Sequence, residues 1–287
     1  MLLRVVGVLI AATLAGAAAH KARAEPRPAD ACKRAAFRAV IDVGHTAQAP
    51  GATSARGFLE FSFNLNLAKR IEQKLLAAGF QRSVLLVTEG PSRKALAKRV
   101  MRANALGADL FLSIHHDSVP DRFLEKWEFE GQQHTFSDRF HGHSIFISND
   151  NSDRAGSLLF ARLLGNELGK RGLQYTPHYT ERYMGHRQRL LVDAQAGVYR
   201  YDELIVLRDT DMPAVLLEAG SIINREEELR MGSVERQTLI SAAVTDAVEA
   251  FCVARRPRTP INVASRTGKG LRQATAPAAP GRTIKQR

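Results

Sequence analysis

Six short apolar runs rich in β-branched residues lie at 37–43, 83–88, 109–114, 143–148, 204–208 and 213–219, and the stretches between several of them carry helical periodicity. No other feature constrains the fold as much. Strands that alternate with helices and are nearly continuous in apolar character predict an α/β architecture: a single domain with a mostly parallel central sheet covered by helices on both faces. Leu67, Ile71 and Leu75 share one helical face, and Ile240, Ala243, Val244, Ala247, Val248 and Phe251 form a clearer one. The chain has 287 residues, 45% of them hydrophobic, which is enough apolar material for such a domain.

In folds of this kind reactive groups gather at the carboxyl ends of the strands. Three ends stand out. The first run leads into Ile41-Asp42-Val43-Gly44-His45, with Glu60 following shortly before Asn64. The third leads into His115-His116-Asp117, and the last carries Glu218-Ala219-Gly220. Two imidazoles and a carboxylate at one sheet edge make a three-ligand zinc site with a position left for water, and a second carboxylate is available to take that water's proton. With only two cysteines, a four-cysteine site is excluded. His116 competes with His115 as a ligand, but consecutive strand residues face opposite ways, which favours one of the two. Asp117 reads either as a partner orienting a ligand imidazole or as a turn former. His134, His141, His143, His178 and His186 share no spacing and read as surface or lid residues. The chain lacks Gly-x-Ser-x-Gly, His-Glu-x-x-His and Gly-x4-Gly-Lys-Ser/Thr, which argues against a serine hydrolase, a thermolysin-like protease and a P-loop enzyme.

Charge divides the chain. The net +12 equals the three basic residues in 1–24 plus the nine in 255–287, two stretches without acids, so the body between them is formally neutral. A positive start, an apolar run from Val5 to Ala19 and Ala22-Arg23-Ala24 make 1–24 a secretory signal. The expected location is therefore the periplasm or cell envelope. There Cys32 and Cys252, just inside the two ends of the body, are positioned to close a disulfide. Residues 25–36 read as a lead-in segment. Residues 255–287, rich in Pro, Ala, Thr and Arg, read as a disordered basic tail suited to anionic envelope polymers or lipid headgroups. A neutral body without an aromatic stacking surface predicts no nucleic-acid partner.

The ordered motifs resemble the zinc-dependent N-acetylmuramoyl-L-alanine amidases, which remove stem peptides from peptidoglycan. The resemblance rests on Ile41 to His45, Glu60 with Asn64, Arg99 and Asn104 ahead of Gly107 to His115, Val206-Leu207-Arg208, Met212 to Gly220, and Asn224-Arg225-Glu226-Glu227-Glu228. It implies a catalytic domain over 37–254, one Zn2+ held by His45, Glu60 and His115, and Glu218 as the catalytic glutamate. Asn64, Arg99, His116 and Asp117 become candidates for supporting or contacting the site. Peptidoglycan is the implied substrate, an activator protein an expected partner, and a monomer the expected state. The alternatives are a zinc carboxypeptidase or endopeptidase acting on stem peptides, or a silent peptidoglycan-binding protein. The chain departs from the family at His116, at Ala219-Gly220-Ser221 and at Glu89, which bears on specificity. Beside the family's compact form, 120–141 and 174–196 read as extra material: a lid or substrate wall, an inhibitory plug acting through Glu181 or Asp193, or plain loops.

Overall fold

In the computed structural model, residues 32–255 are described. The expected signal at 1–24 and all but the first residue of the expected tail lie outside them. Strands β1 (Ala39–Val43), β2 (Val84–Leu86), β3 (Leu110–Asp117), β6 (Ser144–Ile147), β7 (Leu190–Asp193), β8 (Val198–Arg200) and β9 (Ala214–Ser221) form one seven-stranded sheet. Its order is β2-β1-β3-β9-β6-β8-β7. The strands β2, β1, β3 and β9 run parallel, and β6 with β8 is parallel too. β6 is antiparallel to β9, and β7 to β8. A separate hairpin pairs β4 (Glu125–Phe129) with β5 (Gln132–Phe136).

The alternation of side chains sorts two cores. Ile41, Leu112, Ile114, Val215 and Leu217 face a layer made by α1 (Glu60–Ala77), α3 (Arg154–Lys170) and α6 (Val234–Ala254). Val40, Phe111, Phe146 and Leu216 face the other way, toward Ala103 of α2 (Ser92–Leu106), Val206 and Leu207 of α4 (Ile205–Arg208), and Tyr179 and Met184. Both faces are therefore covered, as the apolar runs require. α5 (Arg225–Gly232) joins β9 to α6 and is capped by Asn224, whose side chain accepts from the Glu226 and Glu227 amides. By length and composition α6 could cross a membrane, yet Ile240, Ala243, Val244, Ala247, Val248 and Phe251 sit in the core against α1 and α3.

Two expectations change. The run 204–208 is the single helical turn α4, not a strand, because Val206 and Leu207 fill the second core from above the sheet. A short apolar run has no period with which to distinguish the two states. Residues 120–141 also contain the hairpin, whose Glu130 and Gly131 both take positive φ at the turn.

The two cysteines are joined, Cys32 to Cys252, across a sequence separation of 220. The bond ties the lead-in to the end of α6, where Arg34 also pairs with Glu249. On a chain-entropy account, closing so long a loop contributes up to about 5 kcal/mol, and native disulfides of this kind are worth about 2–5 kcal/mol. Denaturant unfolding of a Cys32→Ser, Cys252→Ser protein should show a stability loss in that range. An unchanged midpoint would mean that the helical packing alone holds this end.

Candidate active site

β1 is followed by Gly44, whose amide still donates to Ile114 O of β3 at 3.0 Å. His45 then takes a left-handed φ of 65°, uncommon for a residue with a Cβ, and the turn throws its imidazole over the sheet edge. Arg99 holds this turn from beneath. Buried in α2, it donates to His45 O and lies 3.4 Å from the Asp42 carboxylate. Burial lifts Asp42 to about 6 despite Arg99 and the hydroxyl of Ser113.

Glu60 is the first residue of α1, where the helix dipole favours a carboxylate. Its Oε2 lies 3.0 Å from His45 Nε2, and its Oε1 lies 3.1 Å from His115 Nδ1. One donor atom from each of the three residues falls within 4.8 Å of the others. Asn64, one turn later, donates to Glu60 Oε1 and to Gly44 O and accepts from His116 Nδ1 at 2.8 Å. The Ala52 amide holds Glu60 Oε2 at 3.0 Å. Although burial alone would raise Glu60, hydrogen bonds from His115 and His45 hold it well below the usual carboxylate range, while burial lowers His115. Two imidazoles and one carboxylate with donor atoms this close are the donor chemistry of a divalent transition metal such as zinc.

Glycine makes room for the cluster. A Cβ on Gly51, at φ +81°, would meet Glu60 Oε2 at 2.3 Å and His45 Cδ2 at 2.6 Å. One on Gly44 would meet His115 Nε2 at 2.4 Å.

Glu218 enters from β9, directly opposite His115 in the β3–β9 register. Its Oε2 is buried without a hydrogen-bond partner among the described residues. Burial, then the charges of Asp117 and Glu60, push it well above the usual carboxylate range, and Arg187 partly offsets them. A carboxyl that titrates toward neutrality beside such a donor cluster is equipped for proton transfer.

Of the two adjacent histidines, His115 joins the cluster and His116 turns under the sheet toward α1, beside Phe63 and Asn64. Burial takes His116 down to about 4 and keeps it neutral. Asp117 bonds to neither the His45 nor the His115 imidazole. Its Oδ1 accepts from the Ser118 amide, the Tyr179 hydroxyl and Arg187 Nη2. His143 and His178, read from sequence as surface or lid residues, are both buried. Asp193 is paired with Arg162 at 2.7 Å, and Glu181 lines a cavity of about 730 Å³ with Tyr175, His178 and Tyr183. None of the three cluster residues nor Glu218 lines that cavity. Tyr179 and Arg187 were not singled out by sequence, since 174–196 has no period to reveal which side chains turn inward. Gly51 carried no signal either.

The Amidase_3 family model, described as N-acetylmuramoyl-L-alanine amidase, matches residues 39–250. The chain belongs to this family. A putative N-acetylmuramoyl-L-alanine amidase from Buchnera aphidicola subsp. Baizongia pistaciae is 24% identical over 219 residues, covering 75% of this chain and 96% of that protein. AmiC of Escherichia coli O6:H1 is 23% identical over 255 residues, 80% of this chain and 56% of AmiC, so the chain spans little more than half that relative. The crystal structure of the amidase Ami1 from Mycobacterium smegmatis matches with a TM-score of 0.58 at 18% identity, covering 77% of this chain and 98% of Ami1, and shares its fold. The enzymatic class that goes with the family is N-acetylmuramoyl-L-alanine amidase.

The glycine geometry gives a direct test. Gly51→Ala should weaken metal binding by about 10–100-fold, the range seen when groups that orient ligands are disturbed. Gly172 also has positive φ, +76°, but nothing within 4 Å of its would-be Cβ, so Gly172→Ala carries backbone strain alone. Chelator-competition titration should separate the two variants, and equal affinities would mean that Gly51 is not part of the cradle.

Proposed function

We propose that this chain is a zinc amidase of the cell envelope that cuts the bond between the N-acetylmuramoyl lactyl group and L-alanine of the stem peptide. Cell-wall remodelling or daughter-cell separation is the setting. The observation that carries this reading is the pairing of His115 with Glu218 across β3 and β9, which sets an unpartnered carboxylate oxygen beside the His45, Glu60 and His115 cluster. The disulfide fits an exported protein.

In this reading His45, Glu60 and His115 hold the ion. A zinc bound by such residues eases loss of a proton from water and polarises the carbonyl under attack. Glu218 collects that proton on its free oxygen and returns it to the departing alanine nitrogen, a role suited to a carboxyl held above its usual range. Asn64 fixes Glu60, and Arg99 fixes the backbone of His45, so both act by position. His116 braces Asn64, and Asp117 fastens 178–187 to the end of β3. That segment is packed on the core by Met184, which supports a wall beside the substrate over a loose lid. Neither carboxylate of the plug reading reaches the cluster in this arrangement.

Digestion of purified peptidoglycan by the mature protein should release free stem peptides beginning at L-alanine, identified by mass spectrometry. Fragments shortened at their far end would instead support the carboxypeptidase or endopeptidase alternative. His45→Ala and His115→Ala should lose both zinc and turnover. Glu218→Gln should keep zinc and lose turnover by about 10²–10⁴-fold, the contribution of general acid–base catalysis. An empty metal site or full activity in Glu218→Gln would remove the proton-carrier assignment.

A further inference from the structure

Asp117 ends β3 opposite Ser221, just beyond the His115 and Glu218 pair, and is 2% exposed. Apart from the neighbouring Ser118 amide, the groups that hydrogen-bond its carboxylate come from 174–196: the Tyr179 hydroxyl at 2.8 Å and Arg187 Nη2 at 3.2 Å. Arg187 Nη2 also donates to the Tyr179 hydroxyl at 3.1 Å. The segment is anchored elsewhere by buried Met184 and by the Tyr199 hydroxyl donating to Thr176 O. Arg187 is thus held in place from both sides.

Glu60, Asp117 and Glu218 crowd together, and Arg187 is the cation that bears on both Asp117 and Glu218. Arg99 is committed beneath the sheet edge to Asp42 and His45, and Arg139 lies over the rings of Phe140 and Tyr183. Both bonds of Arg187 run through Nη2, leaving Nε and Nη1 without partners among the described residues, and the side chain keeps 30% of its surface open. A guanidinium pinned by one nitrogen, with another edge unengaged, is prepared for a planar anion.

We propose that Arg187 binds a carboxylate of the stem peptide and holds the peptide beside Glu218. This rests on the amidase reading and names the residue that selects the anionic peptide. Asp117 and Tyr179 act by fixing the guanidinium.

The test uses two soluble disaccharide-peptide fragments of peptidoglycan, one with free stem carboxylates and one with those carboxylates amidated, and three proteins: the unmodified chain, Arg187→Gln and Arg187→Lys. The unmodified enzyme should show a KM about 10–100-fold lower for the free acid, the scale of a hydrogen bond to a charged group. Arg187→Gln should raise KM for the free acid to that of the amidated fragment, so that the preference between the two is lost, and leave zinc content nearly unchanged. Arg187→Lys should keep part of the preference. Equal KM values of the unmodified enzyme on the two fragments would overturn the proposal without reference to any variant. So would a loss in Arg187→Gln of the same size on both fragments, or one confined to kcat. Failure of the unmodified enzyme to cut either fragment would defeat the amidase reading itself, which keeps the two failures distinct.

Discussion

The parallel pairing of β3 with β9 sets His115 against Glu218, and the arrangement of the site follows from that register. Because strand side chains alternate, a slip of β3 by one residue would turn His115 onto the opposite face and put His116 in its place beside Glu218. Slippage is opposed by burial on both faces. Leu112, Ile114, Val215 and Leu217 pack under α1, α3 and α6, while Phe111 and Leu216 pack on the other side. The apolar body of these strands thus fixes polar ends that do nothing for the core.

Around that pair the structure separates groups whose bonds are complete from groups left open. Glu60 is held by two imidazoles, the Asn64 amide and the Ala52 amide, and is nearly inaccessible. By contrast, Glu218 keeps an oxygen unpartnered, and His45 holds a left-handed backbone. Buried polar groups are ordinarily satisfied, and departures of this kind gather where a protein does chemistry.

The sequence was informative where periodicity or a strand end could be read. Five of the six apolar runs are strands, and the polar residues at the ends of β1, β3 and β9, together with Glu60, meet at one edge. The alternation that separates His115 from His116 was likewise legible. The exception, 204–208, was too short to reveal a period. The β4–β5 hairpin has a local signal in its first strand, where Trp127 and Phe129 alternate with charged residues before Glu130-Gly131, while its second strand, Gln132–Phe136, is largely polar and carries little. Tyr179, Arg187 and the burial of His178 depend on how an aperiodic segment folds back onto Asp117, a long-range contact without a local pattern. Gly51 matters for the space it leaves, which only the positions of Glu60 and His45 reveal.

The central claim is that one ion is held by three side chains while a fourth stands free to move protons. Anomalous diffraction at the zinc absorption edge, from crystals of the mature protein, addresses it most directly. The account predicts a single peak bonded to one atom each of His45, Glu60 and His115, with Glu218 close by but outside the bonding shell. A peak ligated by Glu218, His116 or Asp117, or an empty cluster in zinc-saturated crystals, would contradict it.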